Sequence, residues 1–156
     1  MTPDDYLLMI TDKAKDICGK YALPYACCVA QGALESSWGN DGIGNGGYNL
    51  FGRKWGGTGD YVELQTQEDD GNGSLYTIMA KFQSYQDIGD AINDWCQLMI
   101  WGDYKYYATQ YQCDKELGEE GALEAFVRGI AGIYATDVNY AAKILQTIRA
   151  CGLETS

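Results

Sequence analysis

The chain has 156 residues, 46% of them hydrophobic and 13% aromatic, enough to bury one core and to suggest a single domain over 1–156. Its 22 acidic and 11 basic residues leave a net charge of −11, which repels phosphate backbones and anionic lipid surfaces, so neither nucleic acid nor a membrane is an expected partner. There is no histidine, so Ser-His-Asp and Cys-His catalysis are excluded and a zinc site would need thiolates alone; no metal or cofactor is implied.

The opening residues, Met-Thr-Pro-Asp-Asp-Tyr, lack the basic and apolar regions of a signal peptide, and no run approaches the ~20 apolar residues of a membrane span. Thr2 followed by Pro3, Asp4 and Asp5 reads as an N-cap, a proline at the first helical position and acids on the helix dipole. A helix over about 3–20 follows, with Tyr6, Met9, Ile10, Ile17 and Tyr21 as its apolar face. Pro24 opens a second helix, whose run 25–34 is apolar nearly all round and is therefore expected to be buried, with Glu35 at its end. Between 39 and 59 stand nine glycines, and only 48–54 keeps any regular pattern, so a shaped loop is expected.

The segments 61–66 and 74–82 alternate like strands, and Asp69-Asp70-Gly71-Asn72-Gly73 between them is a turn signal, so an antiparallel hairpin forms a β-lobe over about 56–84. Gly56, Gly57 and Gly59 leave its approach free to hinge. Helical spacing returns at 87–101 through Ile88, Ala91, Ile92, Trp95 and Leu98, then at 119–133 and 137–150, the last capped by Thr136. Cys18, Cys27, Cys28 and Cys96 lie in apolar helical stretches and read as buried free thiols, with disulfides as the alternative. The fold class is α+β, mainly helical, with one small antiparallel hairpin.

Three groups of residues carry chemistry. Leu34-Glu35-Ser36, leading to Trp38-Gly39, puts a carboxyl at the end of an apolar helix, where ionisation is costly without a partner and a neutral acid is favoured. The alternative is a terminal glutamate turned into water. Tyr48-Asn49-Leu50-Phe51-Gly52 offers an amide, a flat apolar ring and close backbone approach, a mixture suited to an N-acetyl sugar, although Phe51 taken singly reads as core. Tyr134-Ala135-Thr136-Asp137 with Tyr140 sets phenols and a carboxylate where a helix begins, although Asp137 alone reads as a first-turn acid.

Together, Leu-Glu-Ser-Ser-Trp-Gly, Asn-Leu-Phe-Gly, Phe82-x-x-Tyr85 with the helix after it, and Tyr-Ala-Thr-Asp-x-x-Tyr resemble, in this order, the glucosaminidase domain of glycoside hydrolase family 73. The resemblance spans about 31–145. It implies a lysozyme-like helical core and cleavage of the N-acetylglucosaminyl β-1,4 bond of peptidoglycan. It makes Glu35 the catalytic acid, Glu68 in Thr66-Gln67-Glu68 a second carboxylate on a mobile β-lobe, and Tyr134 a catalytic tyrosine. Trp38, Tyr48, Asn49, Phe51, Asp137 and Tyr140 are then the substrate-binding residues. Glu63, Asp69 and Asp70 stand as rivals to Glu68. The chain departs from the pattern at Val138, where proline is usual, and at Arg53, where a hydrophobic residue commonly follows Asn-Leu-Phe-Gly; the second change bears on which peptide stem or sugar substituent sits beside the loop.

The implied partner is the peptidoglycan glycan strand, met at the bacterial cell wall by a monomer: a phage lysin, a phage-tail lysozyme domain or a fragment of a larger autolysin. Glu68 could serve as base or nucleophile, or the substrate acetamide could assist with Tyr134; inverting enzymes hold their carboxyls roughly 6.5–9.5 Å apart and retaining ones about 5–5.5 Å. A carboxylate on a mobile lobe favours inversion or acetamide assistance. The rival readings are a lytic transglycosylase and a non-catalytic wall-binding module.

Overall fold

A computed structural model describes residues 1–41 and 47–153. In chain order it contains α1 (Pro3–Lys20), α2 (Tyr25–Ser36), β1 (Tyr61–Asp69), β2 (Leu75–Gln83), α3 (Ile88–Met99), a 3-10 turn (Gly102–Tyr104), α4 (Lys105–Glu116), α5 (Ala122–Tyr134) and α6 (Tyr140–Ala150). No described helix is long and apolar enough to cross a membrane. Part of the glycine-rich loop expected at 39–59, residues 42–46, lies outside the described residues.

The start of α1 is built as its residues dictate. Thr2 Oγ1 accepts from the Asp5 backbone N–H at 3.1 Å while Asp5 Oδ2 accepts from the Thr2 N–H at 3.2 Å, so two otherwise orphaned donors are satisfied reciprocally. Its fully buried stripe is Tyr6, Ile10, Ala14 and Cys18, narrower than the sequence reading, with Met9, Ile17 and Tyr21 at the margin. Every residue of α2 from 26 to 33 is buried, between α1 on one side and α6 on the other. The helices approach closely at Gly32, where an added Cβ would come within 2.5 Å of Tyr6 Oη and 3.2 Å of the Phe51 ring. Trp95 of α3, fully buried, fills the centre against Phe51 and Phe126 and donates its indole N–H to Gln31 at 2.8 Å.

Two elements differ from expectation. α4 carries no strong apolar period, burying only Ala108 and Tyr111, and is held by packing on α5 rather than by a pattern legible in the chain. The last helix starts at Tyr140 and not at 137, because Asp137 organises a turn: its carboxylate accepts from the Asn139 N–H at 2.9 Å and its carbonyl accepts from the Tyr140 N–H at 3.1 Å. Thr136 makes no cap there.

The hairpin pairs Tyr61 with Gln83 through to Asp69 with Leu75, and its turn is tied by Asp69 and Asp70, whose side chains accept from the N–H groups of Gly71 at 2.8 Å and Asn72 at 2.7 Å. It is rooted in the body by a third rung: Lys54 bridges to Phe82, the Gln83 N–H donates to Arg53 O, and the Trp55 N–H donates to Lys81 O. The approach through Gly56–Gly59 is a clasped turn more than a free hinge, since the Trp55 indole N–H bonds both the Thr58 and Gly59 carbonyls.

Asn49 pins this root. Its Nδ2 donates to Arg53 O at 2.7 Å and to Gln83 O at 3.0 Å, and its Oδ1 accepts from the Arg53 N–H at 2.9 Å. Removing the amide leaves poorly solvated backbone groups without partners, so Asn49→Ala should lower unfolding free energy by about 2–4 kcal/mol in urea titration. An unchanged stability with weakened sugar binding would return Asn49 to the ligand surface.

Candidate active site

The carboxyl of Glu35 sits in the last turn of α2, half-buried, where three other segments meet. After Ser36 the chain leaves the helix through three residues of positive φ, Ser37 at 50°, Trp38 at 59° and Gly39 at 84°. Ser36 secures that exit, donating its hydroxyl to Gly32 O at 2.6 Å and accepting from the Gly39 N–H at 2.8 Å. Left-handed non-glycine residues are costly and persist where surrounding structure over-determines them, often beside functional groups.

Tyr140, in the first turn of α6, donates its hydroxyl to Glu35 Oε1 at 2.7 Å. Tyr134, the last residue of α5, stacks on Tyr140 with ring centres 6.2 Å apart and donates its own hydroxyl to the Phe51 carbonyl. Gly52 follows with φ +67°, and a Cβ there would stand 3.5 Å from Glu35 Oε2. Among the described residues no donor reaches Oε2, so one carboxyl oxygen is fixed by a phenol and the other carries no hydrogen bond. Burial pushes both phenols up, with the nearby Glu35 charge adding to the rise, so each stays a donor across the physiological range.

Of the expected site residues, Glu35, Tyr134 and Tyr140 are brought together. Trp38 is half-buried, edge-on to Tyr6 with ring centres 5.8 Å apart, and Tyr48 is half-buried with φ +60°. Two residues expected against sugar lie instead in the frame. Phe51 is 1% exposed, and the Asn49 amide is occupied by backbone. Asp137 forms an exposed ion pair with Lys143 at 2.6 Å beside its turn; the Lys143 bond and then the Asn139 N–H hold its carboxyl below the usual range.

Glu68 lies on the half-buried face of β1 with Val62, Leu64 and Thr66, its Oε1 3.3 Å from Lys54 Nζ. Its rivals are otherwise placed: Glu63 is on the exposed face, and Asp69 and Asp70 tie the turn. No hydrogen bond joins Glu68 to the Glu35 cluster among the described residues.

The sequence reading missed Gln31. It stands one helical turn before Glu35 on the same face, a spacing that could have flagged it. Fully buried, it accepts from Trp95, while its Nε2 closes no hydrogen bond among the described residues. Asp94 also went unread, and Tyr85, noted only within its motif, was given no role; both bear on Arg53.

The helical body carries Glu35 at the end of a buried helix, and the hairpin carries Glu68 on the half-buried face of β1. Residues 11–153 match the Glucosaminidase family, described as mannosyl-glycoprotein endo-beta-N-acetylglucosaminidase, and the chain belongs to that family. It is 33% identical over 137 residues to the exo-glucosaminidase LytG of Bacillus subtilis, covering 86% of this chain and 46% of the relative. It is 32% identical over 154 residues to the peptidoglycan hydrolase FlgJ of Vibrio parahaemolyticus, covering 93% of this chain and 46% of the relative. The chain thus spans about half the length of these relatives. Among solved structures, the catalytic domain of the autolysin Auto from Listeria monocytogenes superposes with a TM-score of 0.79 at 30% identity, covering 97% of this chain and 85% of that one.

If Tyr140 positions the acid, Tyr140→Phe should lower kcat by about tenfold or more with KM within about twofold, since the lost bond serves the reacting carboxyl and not ground-state binding. A variant with parental kcat would detach Tyr140 from the chemistry.

Proposed function

We propose that the chain hydrolyses the β-1,4 bond following N-acetylglucosamine in peptidoglycan, cutting within the glycan strand, with Glu35 as general acid. The observation that carries this is the division of labour at one carboxyl: Oε1 held by Tyr140, Oε2 without a donor and beside the Cβ-free Gly52. Protonated Glu35 delivers its proton to the leaving glycosidic oxygen, and positive charge develops at the anomeric carbon. Glu68, released from Lys54 when substrate binds, activates the water that attacks the opposite face. In the competing route the substrate's acetamide takes that place, with Tyr134 beside it. LytG as a glucosaminidase and FlgJ as a peptidoglycan hydrolase support the bond and the polymer, and membership of a family described as endo-acting supports cutting within the strand.

We read the chain as one such domain, a monomer working at the bacterial cell wall after secretion or phage release, with the hairpin as its lobe. Its net charge of −11 speaks against nucleic acid and anionic membranes as partners.

Digestion of purified peptidoglycan with mass analysis of soluble products tests the reaction. Reducing N-acetylglucosamine ends on fragments of several lengths are expected. Anhydro-muramyl ends would make it a lytic transglycosylase, disaccharides alone would make it exo-acting, and no soluble product would leave a wall-binding module.

Glu35→Gln, nearly isosteric, should lose ~10² to 10⁴-fold in rate while keeping fold and sugar binding; parental clearing of cell walls would remove Glu35 from the role. Glu68→Gln should lose a comparable factor if Glu68 activates water. Near-full activity would retire Glu68 in favour of the acetamide.

A further inference from the structure

Arg53 and Lys54 set two adjacent positive charges at the edge of the catalytic cluster in a chain whose net charge is −11. They line a cavity of about 230 Å³ together with Gly52, Leu98, Tyr104 and Tyr134. Two of those walls belong to the cluster already described: Gly52 flanks Glu35 Oε2, and Tyr134 stacks on the tyrosine that holds Oε1. An occupant of this cavity therefore sits beside the bond being cleaved.

The guanidinium is oriented in advance. Arg53 Nε donates to Asp94 Oδ2 at 3.1 Å, and Tyr85 donates its hydroxyl to the same oxygen. Burial works against the charge, but the Asp94 bond and the Asp94 charge, with smaller help from Tyr134 and Tyr85, together outweigh it and hold Arg53 above its usual range, so the group is a permanent cation. Asp94 and Tyr85 fix the Nε edge, and no hydrogen bond from either Nη nitrogen is formed among the described residues. An arginine fixed at one edge presents its remaining donors in a set direction, a geometry suited to a carboxylate. Lys54, held by Glu68 at 3.3 Å, adds a second charge at the mouth, while Leu98 and Tyr104 provide apolar wall.

We propose that this cavity is the subsite for a carboxylate of the peptide stem on the N-acetylmuramic acid next to the cleaved bond, with Arg53 as the residue that selects stem-bearing glycan. The inference rests on the peptidoglycan reading above. A structural role alone would be a loop tie from Arg53 to α3 through Asp94; such partly exposed pairs contribute little to stability, and a tie would not distinguish one glycan from another.

The test compares kcat/KM on peptidoglycan with intact stems and on the same glycan stripped of stems by an amidase, the lactyl carboxylates this frees being converted to amides. The parental protein should favour the intact glycan by about tenfold or more, the size of one charge-assisted hydrogen bond. That ratio should collapse towards one in Arg53→Met and be partly kept in Arg53→Lys. A parental ratio near one, or a ratio unchanged in Arg53→Met, overturns the proposal; an equal loss on both glycans is the signature of a loop tie and overturns it too. A second measurement leaves Arg53 in place: the Glu35→Gln protein should bind a disaccharide-peptide more tightly than the same compound with its carboxylates amidated, and equal affinities overturn the proposal whether or not the Arg53 variants fold. If the parental protein cleaves neither glycan, the peptidoglycan reading fails first, and this inference falls with it.

Discussion

The hydrogen bond from Tyr140 to Glu35 is the constraint around which the rest of the molecule is arranged. It joins the end of α2 to the start of α6, 105 residues apart in the chain, and orients a carboxyl that has no other donor among the described residues. Each partner must be held from behind for the bond to exist. On one side α2 is buried nearly all round and is ended by Ser36 and a left-handed run. On the other, α6 is launched by the Asp137 turn, and Tyr140 is backed by the stacked Tyr134, itself anchored on the Phe51 carbonyl. The position of this carboxyl is thus set by packing over most of the helical body, and core substitutions far from Glu35 will be felt there.

The loop 47–55 is the second structural device, and it serves two neighbours at once. Phe51 goes inward to Trp95, Gly52 passes close to Glu35, and Arg53 to Trp55 form a third rung on β2. Asn49 makes this possible by bonding backbone on both the loop and the hairpin. The lobe is rooted at its base, and its strands pack chiefly on each other. The Lys54–Glu68 pair, between the third rung and β1, is partly exposed and therefore weak.

Much of this was legible in the chain because local chemistry and tertiary demand agree. The Thr2–Asp5 box, the apolar run of α2, the Asp-Asp-Gly-Asn-Gly turn and the spacing from Ile88 to Trp95 each specify their element alone. α4 was not legible, since its polar, tyrosine-rich segment is made helical by what it packs on. At the site, Glu35 could be singled out by position, whereas the fates of Asn49 and Phe51 could not. An amide and a ring that suit a sugar suit a loop root and a core equally well, and only the folded neighbours decide. Gln31 was hidden for the opposite reason, a polar residue within so apolar a run that its partner Trp95, 64 residues on, could not be guessed.

The central claim is that Glu35 donates the proton that lets the sugar leave, and an activated leaving group tests it most directly. An N-acetylglucosaminyl oligosaccharide carrying a nitrophenolate needs little protonation to depart, whereas a glycan oxygen needs it fully. The account predicts that Glu35→Gln loses its ~10² to 10⁴-fold on peptidoglycan but comes within about tenfold of the parental kcat on the nitrophenyl substrate. An equal loss on both substrates would mean that Glu35 does not act on the leaving group, and would contradict the account.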